Sequence, residues 1–364
     1  MYRVALIGTE GLPAQYGGFE TVVSEFLHNS EQWNSQVNFE VYCAAGCSPV
    51  MDKYCGAKLV HIPMSAHGWR SMVYDGVSII HALWHRADVL MCFGVSGSWI
   101  LLLVRLFTRT RIIAHVDGIE WQRAKWSPAG RFALKVLEYL AVRFAHRVIS
   151  DNAGITRYLK NRYGSDPFEV AYGGDHALRA RASISPNMPD GKFILAICRI
   201  EPENNVDMIL EAMRAINGLP LVMIGNWGRS PYGRALKEVY KNIDGILLLD
   251  PIYDIGVLKG FREKTSVYVH GHSAGGTNPS LVEAMFFGVP IIAFDCDFNR
   301  FTTANKALYF KNKEELAALL NSDVKTLSSV GKDMASLAIE KYRWADVIIK
   351  YQSLILEEIS YLSK

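Results

Sequence analysis

The residues best suited to chemistry lie between Thr265 and Asp297, in TSVYVHGHSAGGTNPSLVEAMFFGVPIIAFDCD. Ser266 to His270 is a short β-branched and aromatic run, and Ser273 to Thr277 is small and glycine-rich. Asn278 is a good N-cap for a helix over PSLVEAMFF, and Pro279 suits the first helical position, where its missing N–H is no loss. Gly288 closes that helix, Pro290 prevents its continuation, and IIAF reads as the next buried strand. The spacing predicts free amides from Ser280 to Val282, pointing into the glycine turn, and such a helix start can hold a phosphate. Glu283 lies one turn in, and helical side chains lean towards the N-terminus. Its carboxylate could accept hydrogen bonds from hydroxyls roughly a sugar ring away from that phosphate. A plain βαβ unit carrying a solvated glutamate has the same pattern.

Two further places hold candidates. Gly17 and Gly18 directly precede a helix with apolar positions Val22, Val23, Phe26 and Leu27, and two glycines there admit a ligand close to the backbone. Asp117 follows a buried strand pattern in TRIIAHVDG and precedes a glycine, the place where open α/β sheets bind ligands. It could equally cap the stretch IEWQRAKW. His115 is two residues earlier and on the same strand face. Both a partner of Asp117 and a packed core histidine fit it. Trp121, Lys125 and Trp126 follow; indole faces stack on sugars, and core packing explains a tryptophan equally well.

These sites need a frame. At 364 residues, half of them hydrophobic, the chain is long enough for two globular domains. Arg3 to Gly8, VNFEVYCA, KLVHIPM, ADVLMCFG, TRIIAHVDG and HRVISDN recur as strands separated by helical stretches, which argues for a parallel sheet covered on both faces. The stretch from Tyr172 to Lys192 is rich in Gly, Pro, Ser and Ala and reads as an interdomain linker. A second series runs through FILAICRI, LPLVMIGN, GILLLD and SVYVHG. The expected division is 1–175, a linker over 176–190, a second domain over 191–341 and a terminal helix over 342–364. That helix carries Trp344, Val347, Ile348, Tyr351, Leu354 and Ile355 at helical spacing.

The net charge is +3, but Arg105 to Arg162 holds twelve basic residues against Asp117, Glu120, Glu138 and Asp151, about +8. That suits an anionic partner: a phospholipid surface, a lipid-linked pyrophosphate or nucleic acid. A solvated amphipathic helix accounts for part of it. No nucleic-acid-reading module accompanies the charge, so nucleic acid is not an expected partner. MYRVALIGTEG reads as strand and turn rather than signal peptide, and Val89 to Val104 is too short to span a membrane comfortably. Six scattered cysteines lack zinc-site spacing and read as reduced thiols of a cytosolic protein.

HGHSAGGTNPSLVEAMFFGVPIIAFD resembles the donor-binding element of the family-4 retaining glycosyltransferases, whose GT-B fold has two Rossmann-like domains facing across a cleft. With GTEGLPAQYGGFETVVSEF, HVDGIEWQRAKW, ICRIEPENNVDMILEAM and LLLDPIYD, the chain resembles the bacterial rhamnosyltransferases that build capsule and O-antigen chains. The resemblance implies α/β architecture with a C-terminal helix returning to the first domain. It implies a donor site of Gly17, Gly18, Arg199, Asn204, Ile252, Gly275, Gly276, Thr277, Asn278, Pro279, Ser280, Leu281 and Glu283. Arg199 would pair with the diphosphate, where the alternative is an ion pair with Glu201 or Glu203. Ile252 would lie near the base. On the acceptor side the candidates are Glu20, Trp121, Lys125 and Trp126.

Three positions depart from the family pattern. Gly275 stands where the first acid of Glu-x7-Glu falls, which suits a donor with different hydroxyl chemistry such as 6-deoxy-L-rhamnose. Asn204 replaces a lysine. Asp117 replaces a histidine that contacts the transferred sugar, and could stabilise an oxocarbenium-like sugar or accept the acceptor's proton. The implied partners are a nucleotide-sugar, a lipid-linked saccharide and the inner, anionic face of the cytoplasmic membrane. No metal or cofactor is implied, and no Asp-x-Asp motif is present. A hexosyltransferase using a UDP-sugar or GDP-mannose, or a sugar-nucleotide-binding protein without turnover, remains open. A dinucleotide oxidoreductase is disfavoured, because GTEGLPAQYGG is not a GxGxxG fingerprint.

Overall fold

The computed structural model describes the chain apart from residues 15–16, 30–35, 48, 117, 124–125, 217, 323 and 364, and apart from the side chains of 324–326. It divides into two units, Met1–Ala171 with Ala345–Lys364, and Tyr172–Trp344.

The first unit is built on β1 (Tyr2–Ile7), β2 (Val37–Cys43), β3 (Lys53–Tyr54), β4 (Ala57–His61), β5 (Val89–Phe93), β6 (Arg111–Val116), β7 (Arg147–Ser150) and β8 (Phe168–Glu169). They form one sheet in the order β3-β4-β2-β1-β5-β6-β7-β8. Neighbours are parallel except the β3–β4 pair at the edge. Between the strands run α1 (Gly18–His28), α2 (Arg70–Trp84), α3 (Leu101–Phe107), α4 (Pro128–Phe144) and α5 (Ala153–Tyr163). The central strands read as continuous apolar runs because helices cover both faces: every residue of VLMCF in β5 is buried. Helix starts follow local chemistry. Ser127 accepts from the Gly130 amide with Pro128 behind it, and Asn152 accepts from Gly154.

The second unit holds β9 (Phe193–Ile197), β10 (Leu221–Ile224), β11 (Ile246–Leu249), β12 (Thr265–His270), β13 (Ile291–Phe294) and β14 (Leu308–Phe310), all parallel, in the order β11-β10-β9-β12-β13-β14. Its helices are α6 (Val206–Arg214), α7 (Pro231–Tyr240), α8 (Ile255–Lys264), α9 (Pro279–Met285), α10 (Asp297–Thr302), α11 (Lys313–Leu320) and α12 (Val324–Lys341). Residues 176–190, expected as a linker, are part of this unit. Ser183 donates its amide to Gly256 O at 3.0 Å, Lys259 Nζ bonds to Leu178 O at 2.9 Å, and Met188 is buried. A Gly- and Pro-rich composition marks irregular backbone, and irregular backbone can still be packed against a helix.

The last helix, α13 (Trp344–Ser360), returns to the first unit as expected. Val347, Ile348, Tyr351, Leu354 and Ile355 are all buried. Glu358, completely inaccessible, accepts from Arg111 Nε at 2.6 Å and from Arg147 Nε at 3.3 Å.

Candidate functional site

Strands β9 and β12 are neighbours at the centre of the second sheet, and the chain leaves them towards opposite edges. Such a switch point opens a crevice at the carboxyl ends of the strands, where doubly wound sheets bind ligands. Two loops line it, 198–205 after β9 and 271–278 after β12. They are tied together: Glu203 O accepts from Ser273 N at 2.9 Å and from Ser273 Oγ at 2.8 Å, and Asn205 Nδ2 bonds to Gly271 O at 2.8 Å.

Helix α9 begins where the sequence places it, with Asn278 as N-cap and Pro279 first in the helix. The amides expected to be free there are not. Asn278 Oδ1 takes Ser280 N at 3.1 Å, and Asn278 O takes Leu281 N at 3.2 Å and Val282 N at 3.1 Å. A good N-cap satisfies the donors that a phosphate would otherwise meet. The Leu281 side chain is wholly buried, and Thr277 is nearly so. In the preceding turn, the amides of Ala274, Gly275 and Gly276 have no hydrogen-bond partner among the described residues. Gly275 has φ +131°, which L side chains rarely adopt. An acid at this position would be strained, a backbone reason for the missing carboxylate.

Arg199, just past β9, is half-buried, and no ion pair joins it to Glu201 or Glu203 among the described residues. Asn204 is fully buried, with Nδ2 2.5 Å from Arg199 O. It holds the turn under Arg199 and does not stand in for the absent lysine. Ile252 is half-buried in the irregular segment after β11.

Glu283 is not a solvated glutamate. One carboxylate oxygen pairs with Arg262, itself 3% exposed, and the other lies 3.3 Å from His176 Nε2. Burial pushes its pKa up, but the Arg262 charge and the His176 hydrogen bond prevail and hold it below the ordinary glutamate range. Arg262 and His176 escaped sequence reasoning because they come from α8 and from the presumed linker. No local spacing connects them to α9.

In the first unit, Gly17 caps α1 with φ +133°, and a Cβ there would lie 1.9 Å from Glu20 Oε2. Gly18 opens the helix. Glu20, expected on the acceptor side, folds back so that Oε1 accepts the Glu10 amide at 2.7 Å. A cavity of about 210 Å³ lies at the carboxyl ends of β1, β2 and β4, lined in part by Glu10, Glu20, Cys47 and His67. Trp121 donates to Tyr158 Oη at 3.2 Å, and Lys135 Nζ sits 4.2 Å from its ring centroid. Trp126 donates to Glu120 at 3.2 Å. Their own unit therefore holds both indoles. Asp117 and Lys125 lie outside the described residues. A larger cavity of about 520 Å³ opens at the amino ends of β9 and β12, beside Ile194 and Ser266, and holds none of the candidates.

His115 is a core residue, packed against Phe19, Phe93 and Tyr351 at ring distances of 5.2, 5.8 and 6.0 Å. Burial lowers its pKa to about 3 from 6.5. A histidine with a depressed folded pKa binds its proton more readily when unfolded. Its neutral form therefore favours folding fully above pH 6.5, and this contribution declines as pH falls towards 3. Between pH 6.5 and 5 the loss is about 2 kcal/mol. His115→Phe should lack that share of the acid sensitivity in urea titrations at the two pH values. Parallel pH dependence in both proteins would contradict it.

The basic segment is partly neutralised: Arg111 and Arg147 meet Glu357 and Glu358, and Arg123 pairs with Glu120 at 3.0 Å. Among the described residues, no helix is long and apolar enough to cross a membrane, no cluster of three His, Cys, Asp or Glu could hold a metal, and no disulfide forms.

Residues 191–325 match the family model described as Glycosyl transferases group 1, and residues 1–175 match that described as Domain of unknown function (DUF1972). The two parallel α/β units have the GT-B fold, and with the group 1 domain they support a glycosyltransferase as the class of this chain. Among solved structures, the chain is similar to a sucrose-phosphate synthase from Thermosynechococcus elongatus, with TM-score 0.82, 14% identity, and 99% of this chain and 100% of that one covered. It is also similar to Anabaena HepE in complex with UDP (TM-score 0.71, 12% identity, 99% and 100% covered). A third is a glycosyltransferase from Rickettsia africae (TM-score 0.73, 12% identity, 98% of each chain covered). No curated protein matches the chain in sequence.

Proposed function

We propose that the protein is a retaining rhamnosyltransferase, moving L-rhamnose from dTDP-β-L-rhamnose to a polyprenyl-diphosphate-linked saccharide in bacterial surface-polysaccharide synthesis. The observation that carries the donor site is the β9/β12 crevice. There the unpartnered Gly275 and Gly276 amides and the unpaired Arg199 suit a diphosphate, and the anchored Glu283 carboxylate suits the nucleoside sugar. Gly275 in place of an acid supports a donor whose hydroxyls need no carboxylate there. Catalysis is electrostatic and metal-independent. Arg199 and the turn amides stabilise the departing diphosphate, and Asp117 attends the positive charge developing on the sugar. The cavity beside Glu20 and His67 suits part of the acceptor.

A panel of nucleotides and nucleotide-sugars in thermal unfolding tests the donor. dTDP-β-L-rhamnose should raise the melting temperature more than UDP-glucose, UDP-galactose or GDP-mannose do. HepE is in complex with UDP, so a larger shift with a UDP-sugar would replace dTDP-rhamnose by a UDP-hexose. No shift with any donor would overturn the reading.

The enzyme works at the inner face of the cytoplasmic membrane, where lipid-linked acceptors reside. Leu106 and Phe107 of α3 and Phe132 of α4 are 65, 78 and 70% exposed, close in sequence to the exposed Arg105, Arg109 and Arg131. Apolar side chains interspersed with arginines suit an anionic bilayer, at about 1 kcal/mol for each well-placed charge. Arg105→Glu with Arg109→Glu should reduce co-sedimentation with phosphatidylglycerol vesicles more than tenfold. Equal binding of the wild type to neutral and anionic vesicles would remove the membrane from the proposal.

A further inference from the structure

Behind Glu283 runs a series of hydrogen bonds that begins at Trp344. The Trp344 indole Nε1 lies 2.9 Å from His176 Nδ1, and His176 Nε2 lies 3.3 Å from Glu283 Oε1. An indole N–H can only donate. His176 Nδ1 is therefore the acceptor, the ring hydrogen of the neutral imidazole sits on Nε2, and Nε2–H donates to the carboxylate. The opposite tautomer would set N–H against N–H at Trp344 and a lone pair against Glu283. The other carboxylate oxygen is held by Arg262. Each oxygen of Glu283 thus has its own donor, one of them oriented by Trp344.

Trp344 is itself fixed. It is 1% exposed, and its backbone N–H donates to Asp175 Oδ1 at 2.7 Å. Its indole lies against Gly173 so closely that a Cβ there would be 2.5 Å from Cδ2, and Tyr172 meets it at a ring distance of 5.0 Å. Tyr172, Gly173, Asp175 and His176 come from one short stretch, YGGDH. That stretch carries the series from the last residue of the second unit to α9.

We propose that Trp344 and His176 are positioning residues. Trp344 sets the His176 tautomer, and His176 holds the Glu283 carboxylate in the orientation that binds the donor nucleotide. The proposal rests on the reading of Glu283 as part of the donor site. The same logic orients metal-binding histidines through a partner on the far ring nitrogen, here applied to a carboxylate.

Two measurements test it. Long-range 1H–15N correlation on histidine-labelled protein should show His176 in the Nε2–H tautomer, and Trp344→Phe should give a mixture of tautomers with the fold unchanged by circular dichroism. Calorimetric titration with dTDP and UDP reads the consequence. Trp344→Phe and His176→Asn should weaken the preferred nucleotide by roughly fivefold, the scale of one hydrogen bond. His176→Gln, whose amide nitrogen reaches about where Nε2 stood, should stay within roughly twofold of the wild type. An unchanged tautomer in Trp344→Phe, or wild-type affinity in both Trp344→Phe and His176→Asn while Glu283→Gln binds weakly, would overturn the positioning role alone. Wild-type affinity in Glu283→Gln would overturn the donor-site reading and this inference with it.

Discussion

Glu283→Ala should destabilise the protein by about 3–5 kcal/mol at pH 7, because it strands the Arg262 guanidinium in a buried position. Arg262 is 3% exposed, and its Nε already lacks a hydrogen-bond partner, so the lost carboxylate has no replacement. Arg262→Met, which removes the charge and fills similar space, should make the Glu283→Ala protein more stable than that single variant. Urea titrations of the four proteins of this cycle give the coupling directly. A Glu283→Ala protein as stable as the wild type would reject the buried pair. The pH dependence has a definite sign. The folded pKa of Glu283 is depressed, so the carboxylate's contribution is complete above its unfolded value of 4.5 and is lost as pH falls through the lower folded value. The gap between wild type and Glu283→Ala should therefore narrow on acidification. For nucleotide binding, Glu283→Gln is the better probe, since it keeps hydrogen-bonding groups and approximate volume.

Asp117→Asn should lower turnover by at least ~10²-fold, about 2.7 kcal/mol, with donor affinity little changed. Removing the charge at constant size weakens a transition state with positive character more than the neutral bound sugar, so the loss falls on the chemical step. A helix cap predicts otherwise, because asparagine caps as well as aspartate. Single-turnover rates at saturating dTDP-β-L-rhamnose separate the two roles. A rate near wild type would remove Asp117 from the mechanism.

The sites differed in how far sequence could describe them. At α9 the cap, the helical proline and the flanking strands all follow from neighbouring residues, and they stand where the sequence places them. The state of the amides did not follow. Asn278 is the cap that the sequence predicts, and its bonds to Ser280, Leu281 and Val282 consume the donors that a phosphate would otherwise meet. Asn204 stands where the family pattern has a lysine, and what the sequence does not show is that its environment is a buried turn. The basic segment was countable, but the acids that offset Arg111 and Arg147 lie more than two hundred positions away in α13.

What the sequence determined by itself is what a few adjacent residues can enforce. Period-two and continuous apolar runs specify the strands, and Asn, Ser and Pro specify helix starts. The spacing of Val347, Ile348, Tyr351, Leu354 and Ile355 specifies a helix with one face to bury. Tertiary structure decided which groups remain available for chemistry. Hydrogen-bond partners and burial depend on what the topology brings alongside a residue, and the partners of Glu283 arrive from α8, from the stretch before β9 and, through His176, from the start of α13. Its neighbours turn a side chain that the sequence could read as solvated into an anchored carboxylate, and burial turns His115 into a neutral core residue.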